Sequence, residues 1–307
     1  MDEKYRLVTR SDFDGLVCAA LLRQLDLIDD ILFVHPKDMQ DGQVEITDRD
    51  IITNLPYVEG AYLVFDHHQS ETFRNAEWRE NHVIDPSAPS AARVVWDHYG
   101  GSQVFPDSFD EMMAAVDEAD SAQYRLGDIL APSGWALLNF VMDPRTGLGR
   151  FREFRISNYQ LMMALIDACK DKSIDEILEM PDVQERVKLY FEQEISFKEQ
   201  LKRCATVYGR VLVVDLREEE TIYAGNRFTC YALFPETQAS IHVLWDKSGE
   251  NNVLAVGKSI LNRGLKADLG TILLGYGGGG HENAGTCQVP QADVKRVLGE
   301  LVEKLNA

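Results

Sequence analysis

The 307-residue chain has no apolar run long enough to cross a bilayer; the longest, residues 126–141, is interrupted by Gly127-Asp128 and Pro132. Its opening residues, MDEKYRLVTR, lack the basic stretch, apolar segment and small-residue cleavage site of a secretory leader. A soluble, cytoplasmic protein with no membrane contact is the expectation. Cysteine is scarce: Cys18, Cys169, Cys204, Cys230 and Cys287 are scattered and odd in number. That argues against a disulfide framework or a zinc ribbon and suits a reducing compartment. Positive charge is short as well, with 31 Lys and Arg against 50 Asp and Glu and a net charge of −19. A protein that holds long duplex nucleic acid through counterion release shows a basic face, so no such partner is expected here. A small anionic substrate stays compatible if metal ions and a few basic side chains supply the positive field.

What is present is the composition of a globular protein, 45% hydrophobic and 26% charged. Residues 5–9 (YRLVT) read as a strand that runs into Arg10-Ser11-Asp12 and then a helical pattern over 15–27. Further strands are predicted at 31–34 (ILFV), within 44–55 and at 61–65 (AYLVF), and helices at 90–99 and 109–119, the first opened by the start signal at 86–90. Strand followed by loop and helix is the opening of a doubly wound, mainly parallel α/β sheet, which binds ligands at the C-terminal ends of its strands. Residues 156–208 contain no glycine and read as a helical connector broken near Met180-Pro181. Strand character resumes at 210–215, 230–234, 240–245 and 252–256. A helix over 268–274, the glycine run 277–280 and an amphipathic helix over 292–305 complete a smaller α/β domain. The predicted division is 1–150, 151–208 (the connector) and 209–307.

Asp12 and Asp14 flank Phe13 just after the first strand. Residues two apart in extended chain point to one side, so both carboxylates can face one cation, and hard divalent ions favour such oxygens. Taken alone, DFDG reads equally well as an acidic helix N-terminus. Asp66-His67-His68 shifts the balance: it follows AYLVF at the sheet edge expected for Asp12, and carboxylate with imidazole suits Mn²⁺, Fe²⁺ or Zn²⁺. Downstream, Gly277–Gly280 precedes His281. Backbone without side chains can approach phosphate oxygens closely, although a flexible turn is the simpler reading of that run by itself.

DFDG, then FDHH, then GGGGHENAG is the order of motifs in the DHH superfamily of phosphoesterases with its DHH-associated C-terminal domain, and the resemblance spans nearly the whole chain. Members include single-strand exonucleases, small-oligonucleotide hydrolases, cyclic-dinucleotide phosphodiesterases, manganese pyrophosphatases and exopolyphosphatases. FVHPKDMQDG, NLPYV and RTGLGRFR look most like the branch labelled exopolyphosphatase-related. The resemblance implies metal ligation by Asp12, Asp14, Asp66 and His67, with His68 facing the scissile phosphate. It also implies a later acidic ligand at Asp120, with Asp117 a weaker candidate. Substrate binding would fall to Lys258, Ser259, Asn262, Arg263, Gly279, Gly280 and His281. The family's second motif puts an Asp at the end of the third strand; Asp48, Asp50 and Asn54 compete for it, and Asp50 is the metal ligand adopted here. Two departures stand out: Val8 where many members carry a histidine ligand, and Arg10 where others carry an Asp.

The implied enzyme is a phosphodiesterase using one or two Mn²⁺ ions, with Mg²⁺ or another divalent cation as alternatives, and a homodimer is compatible with it. Water activated by the metal would attack phosphorus while Lys258, Arg263, His281 and His68 offset phosphoryl charge. Short linear oligonucleotides such as pGpG or pApA are the expected substrate, polyphosphate or a small nucleotide phosphate the alternative. A nucleotide-binding regulator with decayed catalysis, suggested by the absent histidine, is the alternative of another class. Asp97-His98 reads as packing, and His82 and His242 as surface or sheet residues. His35, and the basic island Arg145, Arg150, Arg152 and Arg155, are lesser candidates for substrate contact.

Overall fold

The computed structural model describes residues 4–68, 71–72, 77–151, 153–246 and 248–307. Its contacts divide the chain into two units: residues 1–124, 132–144 and 148–188, and residues 125–131, 145–147 and 189–307. The division falls inside one long helix, Pro181–Cys204.

The first unit is built on a parallel sheet of β1 (Tyr5–Thr9), β2 (Ile28–Phe33), β3 (Asp50–Thr53), β4 (Leu63–Asp66) and β5 (His82–Ile84), in the order β2-β1-β3-β4-β5. In this strand order the chain departs to opposite sides of β1, toward β2 and toward β3. The crevice at their C-terminal ends is the switch point where doubly wound sheets place ligands. Inner strands are buried on both faces, as parallel sheets require: all four residues of β3 are buried. Val8, Ile52 and Val64 pack one face with Met39 of a short helix, Pro36–Gln40. On the other face Phe65 meets the exposed His98 edge-on, with ring centroids 5.0 Å apart, so His98 covers the edge of the core.

Helix α1 (Phe13–Gln24) is buried almost all round, which its apolar sequence FDGLVCAALL anticipates. Gly15 is required in its first turn, because a Cβ there would come within 2.1 Å of the Arg10 carbonyl oxygen. Helix α2 (Ala91–His98) is capped by Ser90, whose hydroxyl accepts the Arg93 N–H, and α3 (Asp110–Asp120) follows. The expected connector is helical over Asn158–Asp171, Ile174–Leu178 and Pro181–Cys204, and its last residues, Ala205–Tyr208, are a strand.

The second unit holds a six-stranded mixed sheet. Its strands are β6 (Ala205–Tyr208), β7 (Val211–Asp215), β8 (Ala239–Trp245), β9 (Asn251–Lys258), β10 (Gly279–His281) and β11 (Ala284–Pro290), ordered β10-β11-β9-β8-β7-β6. Only β7 and β8 run parallel. Helix α4 (Val294–Asn306) buries Val294, Val297, Leu301 and Leu305, one helical stripe, against this sheet. The strand predicted at 230–234 is a short helix, Thr229–Leu233. Cys230 and Tyr231 are buried there as a strand would bury them. No helix among the described residues is long and apolar enough to cross a membrane.

Candidate metal centre

Four of the acidic candidates reach one edge of the parallel sheet. Asp12 and Asp14 follow β1, Asp66 ends β4, and Asp120 ends α3. Ligand atoms of Asp14, His67 and Asp120 lie within 4.8 Å of one another, a spacing that one divalent ion can span.

Asp14 is buried, 2% exposed, at the N-terminus of α2. Its Oδ2 accepts the Ala91 N–H at 3.0 Å and its Oδ1 the Ala92 N–H at 2.8 Å. Burial, followed by the negative charges of Asp120 and Asp12, pushes its carboxyl up to about 7, against the pull of His67 and the Ala92 amide. A carboxylate so disfavoured is prepared for a cation.

His67 sits between a donor contact and a charge contact. Its Nδ1 is 3.2 Å from the Ala88 carbonyl oxygen, an acceptor only, so Nδ1 carries the proton and Nε2 the lone pair of the neutral ring. Nε2 is 3.0 Å from Asp120 Oδ2 yet out of line for a hydrogen bond. Burial works to lower the imidazole's pKa, but Asp120 and the charge of Asp14 outweigh it and hold it at about 9. Burial would raise Asp120, and the same contact with His67 takes it below the usual carboxylate range. A ring fixed through one nitrogen by a backbone carbonyl is how metal-binding histidines are oriented.

Asp66 is fully buried. Its Oδ1 accepts the backbone N–H groups of His67 at 2.8 Å and His68 at 3.2 Å, and lies 2.6 Å from His68 Nδ1. Its Oδ2 is buried with no hydrogen-bond partner among the described residues, and so is Asn54 Oδ1. Unpaired buried oxygens are costly, and two of them at the sheet edge that carries the Asp14–His67–Asp120 cluster mark a place for a cation. The donor set of carboxylate oxygens and one imidazole fits Mn²⁺ or Mg²⁺.

Asp50 is not part of this edge. It begins β3, at the opposite end of the sheet, where its carboxylate receives Arg6 Nε at 2.6 Å, Arg6 Nη2 at 2.9 Å and the Thr47 N–H at 2.7 Å. The residue that follows β3 at the site end is Asn54. Its φ of 55° is a left-handed value that asparagine tolerates, and its Nδ2 donates to Asp12 Oδ1 at 3.2 Å. Asp117 is likewise engaged elsewhere, by Ser90 and Arg93 at the start of α2. Nothing in DIITN distinguishes the strand's start from its end, so the carboxylate outweighs the amide there on chemistry alone. The α2 N-terminus is legible as a helix start at 86–90 but not as the receptor for Asp14.

In the second unit, Lys258 and His281 lie at one end of the sheet. The Lys258 N–H bonds the Asn283 carbonyl at 2.9 Å in the β10–β11 turn, and Lys258 Nζ pairs with Glu282 at 2.9 Å. The second half of the glycine run opens the edge strand β10, while Gly277 stays in the turn before it. A Cβ on Gly280 would meet the Ala284 carbonyl at 2.3 Å and one on Gly278 the Thr286 carbonyl at 2.2 Å, whereas Gly279 faces open space. Ser259 is buried, its hydroxyl accepting the Asn262 N–H at 3.0 Å. Asn262 reaches the Pro235 and Glu236 carbonyls, and Arg263 Nε the Ile260 carbonyl at 3.0 Å. Of the basic island, Arg155 is held by Asp182 at 2.6 Å, and Arg152 lies outside the described residues. His35 caps the helix Pro36–Gln40.

A solved structure described as the pGpG-specific phosphodiesterase PggH from Vibrio cholerae is 60% identical to this chain, covers 99% of both chains and superposes with a TM-score of 0.86. The chain belongs to the DHH superfamily of phosphoesterases. It shares its fold with RecJ from Thermus thermophilus, solved with Mn²⁺, at a TM-score of 0.58 and 12% identity, over 98% of this chain and 52% of RecJ. CDC45 from Entamoeba histolytica gives a TM-score of 0.54 at 9% identity, over 100% of this chain and 96% of that one. No family model and no curated protein matches.

Proposed function

We propose that this DHH phosphoesterase is a divalent-metal-dependent phosphodiesterase that hydrolyses short linear oligonucleotides, with the dinucleotide pGpG as its substrate and Mn²⁺ as its ion. The observation that carries the substrate is the 60% identity, over 99% of the chain, to a pGpG-specific enzyme. The cluster of Asp14, His67 and Asp120, with the unpaired Oδ2 of Asp66, the aspartate of the DHH motif, supports the metal. When bound, a divalent cation supplies Lewis acidity, drawing charge from a phosphoryl oxygen and acidifying water.

The chain's own residues do the rest. Asp14, His67, Asp120 and Asp66 would hold the ion, and the α2 amides keep Asp14 in place. Asp66 Oδ1 fixes the His68 ring through Nδ1, so proton exchange with the phosphoryl group runs through Nε2. Lys258, Arg263 and His281 of the second unit bind the substrate's phosphates, and Gly279 lets backbone N–H groups approach them. The free thiols, four of the five buried, suit a reducing cytoplasm.

A panel of pGpG, pApA, cyclic dinucleotides and polyphosphate, assayed with Mn²⁺ on the full chain, tests the reading. Cleavage of pGpG to mononucleotides is expected. Phosphate release from polyphosphate without pGpG cleavage would overturn the substrate, and tight pGpG binding without cleavage at any Mn²⁺ concentration would make the protein a regulator.

A further inference from the structure

The carboxylates at the sheet edge are not equivalent. Asp12 has both oxygens engaged by the chain itself: Oδ1 receives the Gly15 N–H at 3.0 Å and Asn54 Nδ2 at 3.2 Å, and Oδ2 pairs with Arg10 Nε at 3.1 Å. Asp66 Oδ2, by contrast, is buried and unpaired among the described residues, and Asp14 and Asp120 converge on His67. One group of carboxylates is arranged for an ion from solution, while Asp12 already has a cation.

A two-metal phosphoesterase holds its ions about 3.5–4 Å apart and needs ligands enough to neutralise both. Here Arg10 cancels the charge of Asp12, and Asn54, which follows β3 on the other side of Asp12, brings an amide where a second ion needs a carboxylate. Three carboxylates, Asp14, Asp66 and Asp120, remain for metal, a complement suited to one dication and poor for two. A guanidinium is charged at every working pH and carries further N–H donors beyond the one on Asp12. It therefore offers a phosphate a planar set of donors, fixed in place before substrate arrives.

We propose that Arg10, clamped on Asp12, is a built-in cation standing in for a second metal ion, and that this chain works with one divalent ion. This rests on the metal-phosphodiesterase reading above. Arg10 would then offer its remaining N–H donors to the substrate's phosphoryl group, while Asp14, His67 and Asp120 would hold the single ion.

The experiment is a Mn²⁺ titration of the metal-stripped full chain, followed by metal analysis and low-temperature electron paramagnetic resonance, with pGpG turnover measured on the same samples. The wild-type chain is expected to bind one tight Mn²⁺ with the spectrum of an isolated ion. The double variant Arg10→Ala/Asn54→Asp restores a free carboxylate pair and is expected to take up a second Mn²⁺ with a spin-coupled spectrum. Two tight, spin-coupled ions in the wild-type chain would overturn the inference while leaving the phosphodiesterase reading intact. No tight ion at all would overturn both. The wild-type stoichiometry decides the matter even if the double variant fails to fold.

Discussion

The parallel sheet carries an arginine–aspartate pair at each end of β1, and the two could hardly be used more differently. At the N-terminal end, Arg6 grips Asp50 through two nitrogens, and the Thr47 backbone N–H and hydroxyl complete the carboxylate's hydrogen bonds. At the C-terminal end, Arg10 Nε pairs with Asp12, and at that sheet edge Asp66 Oδ2, Asn54 Oδ1 and His67 Nε2 are buried without a hydrogen-bond partner among the described residues. The same two residue types make a closed structural joint in one place and the rim of a reactive site in the other. What separates them is the set of unpaired buried acceptors found at the second end, not the presence of charge.

The contrast breaks most decisively at Asp66. Asp66→Asn should lower kcat on pGpG on the order of 10³-fold, because His68 loses the carboxylate that fixes its ring. The metal-free melting temperature should not fall, since a buried charge with an unpaired oxygen is removed. Turnover close to wild type would show that His68 needs no such orientation.

Next in size is the effect of pH on the ion. Asp14 stands at about 7 and His67 at about 9 in the metal-free chain, and both must lose their protons to ligate. Mn²⁺ affinity measured by calorimetry should therefore rise by up to about tenfold per pH unit from neutrality toward 9 and level off above it. Folding runs the other way. His67's contribution is fully present below its ordinary value of 6.5 and is lost as pH climbs through about 9, so the metal-free chain should melt progressively lower over that range. An affinity indifferent to pH would remove these two residues from the ligand set.

Asp50→Asn sharpens the contrast from the opposite end. It should cost about 1–3 kcal/mol of stability in urea unfolding. Turnover per folded molecule and Mn²⁺ binding should be unchanged. Loss of metal binding in a folded variant would return Asp50 to the site. Smallest is Lys258→Ala, expected to raise KM for pGpG several-fold at nearly constant kcat, because its charge would bind substrate and transition state alike.

Much of this is legible in the residues. The run YRLVT matches β1 residue for residue, and DFDG and FDHH fall at the right ends of their strands, because an apolar run stopping at a polar cluster is a signal that both share. The short runs are harder. Residues 230–234 hold an apolar segment that periodicity cannot separate from one helical turn, and burial rewards either form. GGGGHENAG reads as a loop, yet its glycines let β10 approach β11 more closely than any side chain would allow. Asp50 displaces Asn54 in the sequence reading because charge can be weighed there and position cannot. Only the pairing of β3 with β1 and β4 shows which end of DIIT meets the DHH motif.

The bonds from Ala91 and Ala92 to Asp14 make the first turn of α2 a listener to the metal centre. A carboxylate shared between a helix start and an ion cannot change partners without changing how firmly those two amides are held. Their hydrogen-exchange rates, or their proton chemical shifts, then form a spectroscopic gauge of occupancy within the backbone. Such a gauge would follow loading, substrate arrival and release in the unmodified chain, with no label attached and no side chain replaced.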